Sequence, residues 1–213
     1  MRHILRTSII FSIISVFLIA QDKSKSILPG PDRSEGEGPF KRLVIRGATV
    51  IDGSGAPPRG PVDIVIEGNK ITSVSGVGYP GVPINEKRRP KPGDYEIDAH
   101  GAYVMPGFVD MHTHAGDPQK APDTEYVYKL WLAHGVTTVR GVGLGSLEFS
   151  LSEKERSAKN EITAPRIWAY QRPGQGKDWK GGSINDPATA RKWVKYAAKK
   201  GGDGLKLGAN EIG

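Results

Sequence analysis

The sequence predicts an α/β protein in which a β-rich module precedes a sheet of parallel strands. Residues 62–74, VDIVIEGNKITSV, alternate apolar and polar side chains and turn at Gly-Asn, which is the pattern of a β-hairpin. After residue 103 the hydrophobic pattern changes, and short apolar runs alternate with segments of helical periodicity. Such alternation is typical of parallel strands joined by helical crossovers. We therefore expect the β-rich module over residues 42–103 and the α/β region over residues 104–213.

Four strand-like runs divide the α/β region, at residues 104–111, 136–142, 165–170 and 204–208. The clearest helix between them is the segment NDPATARKWVKYAAKKGG. Asp186 can cap its start, Pro187 suits the first helical position, and Gly201 suits the C-terminal cap. The spacing of these elements does not choose between an open sheet and a barrel.

The N-terminus has the pattern of a secretory signal peptide. Arg2 and Arg6 precede an apolar run from Thr7 to Ala20, and a polar stretch follows. This run is shorter than the ~20 residues that a membrane-spanning helix needs, although an uncleaved anchor is the alternative. We expect residues 1–20 to be removed, leaving an exported protein, periplasmic or secreted, without a stable membrane anchor. Residues 21–41, rich in Pro, Gly and Ser, are predicted to be a flexible leader.

Composition excludes several other classes of protein. The chain has no cysteine, so neither a disulfide framework nor a thiolate metal site is possible. The formal net charge is +7, but the densest basic cluster, residues 85–94, is interrupted by Pro and Gly and is typical of a solvated loop. No nucleic-acid partner is therefore expected.

The segment VMPGFVDMHTHAG (104–116) places two of the chain's five histidines one residue apart. Because a strand alternates its faces, His112 and His114 share one face with Asp110, while Thr113 points the other way. Two neutral imidazoles on one strand face can reach a single cation such as zinc. The carboxyl ends of parallel strands are also where such folds place their sites. The pair therefore predicts a metal centre.

Four segments together resemble the amidohydrolase superfamily, in particular its imidazolonepropionase-like and prolidase-like branch: VIRGATVIDGSG, IEGNKITSV, IDAHGAYVMPGFVDMHTH and HGVTTVRG. The resemblance runs from about residue 42 to the end of the sequence. It implies the N-terminal part of a (β/α)8 TIM-type barrel, about four β/α units, preceded by part of a small β-sandwich. It also implies one or two divalent metal ions, zinc in the first place, with manganese, iron or cobalt as alternatives.

The resemblance assigns further residues. His112 and His114 would bind metal from the first barrel strand, and Lys206, on the fourth strand-like run, would be a carbamylated lysine that bridges two metals. The family often has Asp after TTVR, where this chain has Gly141. The remaining histidine ligands and the aspartate that shuttles the proton are expected beyond Gly213. Independently of the family, Gln171 and Arg172 end the third strand-like run and are candidates for substrate binding.

The sequence thus favours a metal-dependent hydrolase of C–N bonds in small amides, cyclic amides, dipeptides or amidines. As an N-terminal fragment it is expected to be inactive alone, and its partner would be the missing C-terminal half-barrel. The alternative is a non-catalytic half-barrel that binds a partner chain or forms a homo-oligomer, since open sheet edges recruit other strands. A phosphate-binding role for the glycine-rich residues 140–149 is disfavoured, because their spacing does not match G-x-G-x-x-G.

Overall fold

The computed structural model of the protein describes residues 27–115, 123–142 and 145–208. These residues form two sheets, the first of mixed direction and the second wholly parallel. The predicted signal peptide, residues 1–20, lies outside the described residues. In the part of the chain that the structure describes, no helix is both long and apolar enough to cross a bilayer.

The first sheet contains five strands in the order β3-β2-β1-β4, with β5 also paired to β1. Their bounds are β1 Arg42–Val50, β2 Arg59–Glu67, β3 Lys70–Gly76, β4 Tyr95–Asp98 and β5 Tyr103–Val104. Strands β1, β2 and β3 are antiparallel neighbours, whereas β4 and β5 run parallel to β1. Small and β-branched side chains form the core of this sheet: Ala48, Val50, Val62, Ile64 and Ala99.

The hairpin predicted over residues 62–74 is present as β2 and β3. A two-residue turn joins the strands, and its Gly68 adopts a φ of +58°, a left-handed conformation that costs glycine little. Ile64 lies opposite Val74 across the ladder, so the apolar side chains on one strand meet those on the other.

The second sheet contains four parallel strands in the order β6-β7-β8-β9. Its elements, in chain order, are β6 Phe108–Thr113, α1 Thr124–Ala133, β7 Val136–Val142, α2 Leu147–Ala158, β8 Arg166–Gln171, α3 Pro187–Lys200 and β9 Gly204–Leu205. The spatial order follows the chain order without the reversal that marks a doubly wound sheet. This is the order of strands in a (β/α) barrel. The predicted α/β class and parallel half-barrel are confirmed.

The helices cover one face of the parallel sheet. Val139 of β7, Ile167 of β8 and Tyr128 of α1 are buried together in one apolar cluster. The opposite face is open, and Trp168, the neighbour of Ile167, is 47% exposed there. In a complete barrel that open face would line the interior.

Helix α3 begins and ends at the residues that the sequence predicts. The Asp186 carboxylate accepts hydrogen bonds from the backbone N–H groups of Ala188 (2.8 Å) and Thr189 (2.9 Å). Pro187 occupies the first helical position, and Gly201 closes the helix with a φ of +101°. Local capping chemistry therefore determines both ends of this helix.

The structure corrects the prediction of a flexible leader over residues 21–41, at least from Ile27 onward. Leu28 forms a parallel β-bridge with Asp123, the N-cap residue of α1. The backbone N–H of Arg33 donates to the carbonyl oxygen of Glu161 at 2.6 Å. A composition rich in Pro and Gly thus describes an extended segment with specific contacts in this region. Residues 21–26 lie outside the described ranges, and the remaining domain boundaries stay predictions.

Candidate metal centre

His112 and His114 lie at the carboxyl end of β6 and converge on one another. Their Nε2 atoms are 3.0 Å apart, and both side chains are exposed on the open face of the sheet. Thr113, between them, is buried on the helix-covered face, where its hydroxyl donates to the carbonyl oxygen of Arg140 at 3.2 Å. The opposite directions predicted for Thr113 and for the two histidines are therefore present, and they bring the imidazoles together. Asp110, predicted to share the histidine face, is instead in register with Val139, on the same face as Thr113.

An irregularity in β6 shapes this end of the strand. Asp110 pairs with Val139 and Thr113 pairs with Gly141, so two residues of β6 lie opposite the single Arg140 of β7. The Asp110 carboxylate accepts a hydrogen bond from the backbone N–H of His112 at 3.0 Å. Bulges of this kind redirect side chains and occur often beside active sites. The bulge and the Asp110 contact together set the direction in which His112 leaves the strand.

The geometry fits a divalent cation held by two neutral imidazoles. Two nitrogens bound to one zinc ion at about 2.0–2.1 Å in tetrahedral geometry lie roughly 3.3 Å apart. The observed separation of 3.0 Å is close to that value. Within the described residues, however, no group of three or more histidine, aspartate and glutamate side chains could hold a metal ion. The pair therefore supplies two ligands of a site that needs more.

Lys206, the third predicted ligand, also lies at the carboxyl ends of the strands, but it follows β9, at the opposite end of the strand order from β6. Its backbone N–H donates to the carbonyl oxygen of Gln171 at 2.8 Å, which extends the β8–β9 ladder by one residue. Its side chain is partly buried. Strand β9 is three strand spacings from β6, or roughly 14 Å along the sheet. The structure thus brings the two histidines together and places Lys206 apart from them, and its ligand role stays a prediction.

Gln171 was predicted to bind substrate, but its side chain is buried and points away from the histidine pair. Its side chain is 1% exposed, and its amide Nε2 donates to the hydroxyl of Ser150 on α2. It therefore faces the helices, on the side of the sheet opposite to the histidine pair, because it continues the alternation that buries Ile167 and Ala169. Arg172, one residue later, is exposed, and its contact with substrate stays a prediction.

Two residues that sequence reasoning did not select for the site share the open face with the histidines. The Arg140 guanidinium lies over the ring of Tyr170, with Cζ 4.5 Å from the ring centroid. In the strand register, Arg140 lies opposite the β6 bulge that contains His112. An arginine inside a strand of a parallel sheet is unusual enough to have indicated this position, because such strands are normally apolar throughout.

No protein-family model matches the chain. It is 36% identical over 124 residues to the N-acyl-D-aspartate deacylase of Alcaligenes xylosoxydans xylosoxydans, an alignment that covers 58% of this chain and 22% of that protein. It is also 38% identical over 77 residues to the dihydroorotase of Thermoanaerobacter sp. (strain X514), covering 36% of this chain and 15% of that protein. The chain thus spans about a fifth or less of the length of these curated relatives.

Among solved structures, a Bifidobacterium longum protein assigned as a prolidase superposes with a TM-score of 0.58 at 22% identity. The superposition covers 80% of this chain and 42% of that protein. At this identity the likeness shows the fold, which agrees with the four-stranded parallel sheet described above. Over the aligned segments the chain is thus similar in sequence to a deacylase and a dihydroorotase, and its parallel sheet shares the fold of the solved structure.

Proposed function

We propose that the chain carries the first metal-binding strand of a hydrolase that cleaves C–N bonds in small amides, cyclic amides, dipeptides or amidines. The observation that carries the proposal is the convergence of the His112 and His114 Nε2 atoms, 3.0 Å apart, at the carboxyl edge of a parallel sheet. That edge is where (β/α) barrels place their catalytic residues. The deacylase and dihydroorotase relatives support the same class of reaction.

In this function the two histidines hold a divalent metal ion, and Asp110 keeps His112 oriented through its backbone N–H. When bound, such an ion supplies Lewis acidity and lowers the pKa of a water molecule. We favour zinc, one ion or two, with manganese, iron or cobalt as alternatives, because imidazole accommodates all of them. Lys206, carbamylated, is the proposed further ligand.

The described residues alone do not complete such a centre. A catalytic zinc site has three protein ligands, and the histidine pair provides two. The proton shuttle is proposed to be an aspartate outside this sequence. We therefore propose that the chain needs the rest of a barrel for turnover. The signal-peptide pattern of residues 1–20 supports a separate proposal, that the protein acts outside the cytoplasm, in the periplasm or as a secreted protein.

Metal binding tests the proposal directly. Co²⁺ is titrated into the purified chain and into the variants His112→Asn and His114→Asn, and binding is followed by visible absorption. Removing either imidazole is expected to weaken Co²⁺ binding at least about 100-fold, since even residues that only orient metal ligands change affinity 10- to 100-fold. His134→Asn is the matched control, because His134 bonds the Leu130 carbonyl at the end of α1 and lies outside the pair. Equal Co²⁺ binding by the chain and both site variants would contradict the proposal.

A second candidate function is non-catalytic assembly through β6. Phe108, Val109 and Met111 are 57%, 55% and 57% exposed, so this strand presents several apolar side chains to solvent. It is also an edge of the parallel sheet. Exposed apolar edge strands recruit other strands. A second copy of the chain or a complementary half-barrel would cover β6, and sizing at several concentrations distinguishes this function from metal binding.

A further inference from the structure

The segment from Ile27 to Glu35, here called the strap, is bonded to α1, the helix that follows the histidine-bearing strand β6, and to α2, the helix that follows β7. At its start, Leu28 pairs with Asp123, and the Leu28 carbonyl accepts a hydrogen bond from the hydroxyl of Thr124 at 2.7 Å. Thr124 is the first residue of α1 and is fully buried. The strap therefore holds the beginning of α1 through backbone and side chain together.

A buried carboxylate fastens the strap to α2. Glu153 is fully buried, and its Oε2 accepts a hydrogen bond from the backbone N–H of Gly30 at 3.0 Å. Its Oε1 accepts from Arg156 at 2.8 Å, and Arg156 also bonds Asp32 of the strap at 2.9 Å. A buried carboxylate that loses a donor is costly, because its desolvation is no longer offset. The strap thus satisfies a charge that α2 would otherwise leave partly unpaired.

Space at Gly30 is limited by the same residues. A Cβ atom there would lie 3.3 Å from Glu153 Oε2 and 3.5 Å from Tyr128 Cε2. Glycine is thus the residue that lets the strap backbone approach the carboxylate. Pro29 and Pro31 flank it, and proline lowers the conformational entropy lost when an extended segment is ordered.

The strap begins at the end of the sheet that carries the histidines and then runs along α1 and α2. Helix α1 is the helix that follows β6, and α2 is the one that follows β7. Ile27 packs against Gly145, just before the start of α2, because a Cβ on Gly145 would lie 3.0 Å from Ile27 Cδ1. In parallel sheets the helices begin on the side where the strands end. The strap therefore joins the start of α1, the helix that follows the histidine-bearing β6, to Glu153 and Arg156 in the middle and last turn of α2.

We infer that the strap is a positioning element of the metal centre: by tying the start of α1 to α2, it holds the carboxyl ends of β6 and β7 in the register that lets His112 and His114 converge. Gly30 and Thr124 are the positioning residues. The inference rests on the proposed metal function. It also requires that processing of the N-terminus leave Ile27 in the mature protein, as cleavage near Ala20 does.

Two variants of the full chain release the strap in different ways. Gly30→Asp places a second carboxylate against Glu153, and Thr124→Val removes the bond to the Leu28 carbonyl while keeping the shape of the side chain. Glu35→Gln is the matched control, because it breaks only the exposed ion pair of the strap with Lys129 (3.1 Å). Tryptic cleavage after Arg33 reports strap release, Co²⁺ titration reports the metal centre, and circular dichroism checks that each variant is folded.

We expect both releasing variants to be cleaved faster after Arg33 and to bind Co²⁺ about 10-fold more weakly, the lower end of the effect of residues that orient metal ligands. Glu35→Gln should match the original chain. A released strap with Co²⁺ affinity within twofold of the original chain would overturn the inference. If the original chain itself binds no Co²⁺, the proposed function fails. Hydrogen exchange of the backbone amides then tests separately whether the strap holds α1 and α2 in place. Unchanged protection of the first turn of α1 and of the α2 residues around Glu153 in Gly30→Asp would then refute it.

Discussion

Asp63 shows how a single buried charge organises the first sheet. It is fully buried, and it accepts hydrogen bonds from Arg46 Nη1 (2.9 Å) and from the backbone N–H of Gly47 (2.8 Å). Arg46 is 8% exposed and also binds Glu96 of β4, with Nε 3.1 Å from Oε2. Arg89, in the basic loop formed by residues 85–94, has its Nε 3.5 Å from Asp63 Oδ2. One carboxylate therefore connects β1, β2 and the basic loop before β4.

Replacing this carboxylate should be costly. Asp63→Asn leaves Arg46 buried with only Glu96 as its charged partner, and breaking a buried pair typically costs about 3 kcal/mol or more of unfolding free energy. Urea denaturation measures the loss. Glu67→Gln is the control, because Glu67 is half exposed where it pairs with Arg42, and a change of about 0.5 kcal/mol or less is expected there. Equal stabilities for the two variants would show that the network adds little.

Glu96 makes the stability depend on pH. The hydrogen bond from Arg46 is the main cause that lowers the pKa of its carboxyl group in the folded chain. A group whose pKa is lower in the folded state stabilises the fold above its unfolded pKa, and that contribution is lost as the pH falls through the folded value. The unfolding free energy should therefore fall on acidification below about pH 4.5, the ordinary value for glutamate.

Urea titrations between pH 3 and pH 7 measure this dependence. Glu96→Gln should show a shallower decline than the original chain, because the amide does not titrate. Parallel pH profiles for the two proteins would rule out a contribution from Glu96.

At the scale of elements, Gly201 tests whether capping chemistry ends α3. Its φ of +101° lies in the left-handed region, where a Cβ costs roughly 1–2 kcal/mol. The nearest atom to an added Cβ, Leu151 Cδ2, is 3.8 Å away, so Gly201→Ala would be destabilising through backbone conformation and not through a clash. A loss of about 1 kcal/mol is expected in urea denaturation.

Gly76→Ala is the control for this substitution. Gly76 ends β3 outside the left-handed region, and nothing lies within 4 Å of an added Cβ. Alanine should be neutral or slightly stabilising there, because it lowers the entropy of the unfolded chain. A Gly201→Ala variant as stable as Gly76→Ala would mean that α3 ends for another reason.

Other elements illustrate where local pattern succeeds. The β2–β3 hairpin and both ends of α3 follow from side-chain alternation and turn residues within a few positions of each other. The strap does not follow from local pattern, because Pro29, Gly30 and Pro31 are equally typical of a flexible linker. Its order depends on Glu153, more than a hundred residues later in the chain.

At the scale of the whole molecule, the open face and the edge of the parallel sheet should govern association. Val109→Thr combined with Met111→Thr makes β6 more polar, and threonine keeps a high propensity for strands. If β6 is an assembly surface, the double variant should be more monomeric than the original chain in sedimentation velocity at the same concentration.

Val82→Thr is the matched control, because Val82 is 57% exposed in a loop outside both sheets. It should leave the association unchanged. A double variant that associates as strongly as the Val82 variant would remove β6 from consideration as an interface.

The sequence by itself determined what depends on neighbouring residues: the alternation of strands and helices, the hairpin, the caps of α3, and the placement of His112 and His114 on one strand face. A strand's period of two residues suffices for that last prediction. Only the tertiary structure decided which distant groups meet. It turned Gln171 toward Ser150, placed Arg140 over Tyr170, and bound the strap to α1 and α2. The physical reason is that buried polar groups find their hydrogen-bond partners on elements far apart in the chain. Local periodicity does not predict which distant residues those partners are.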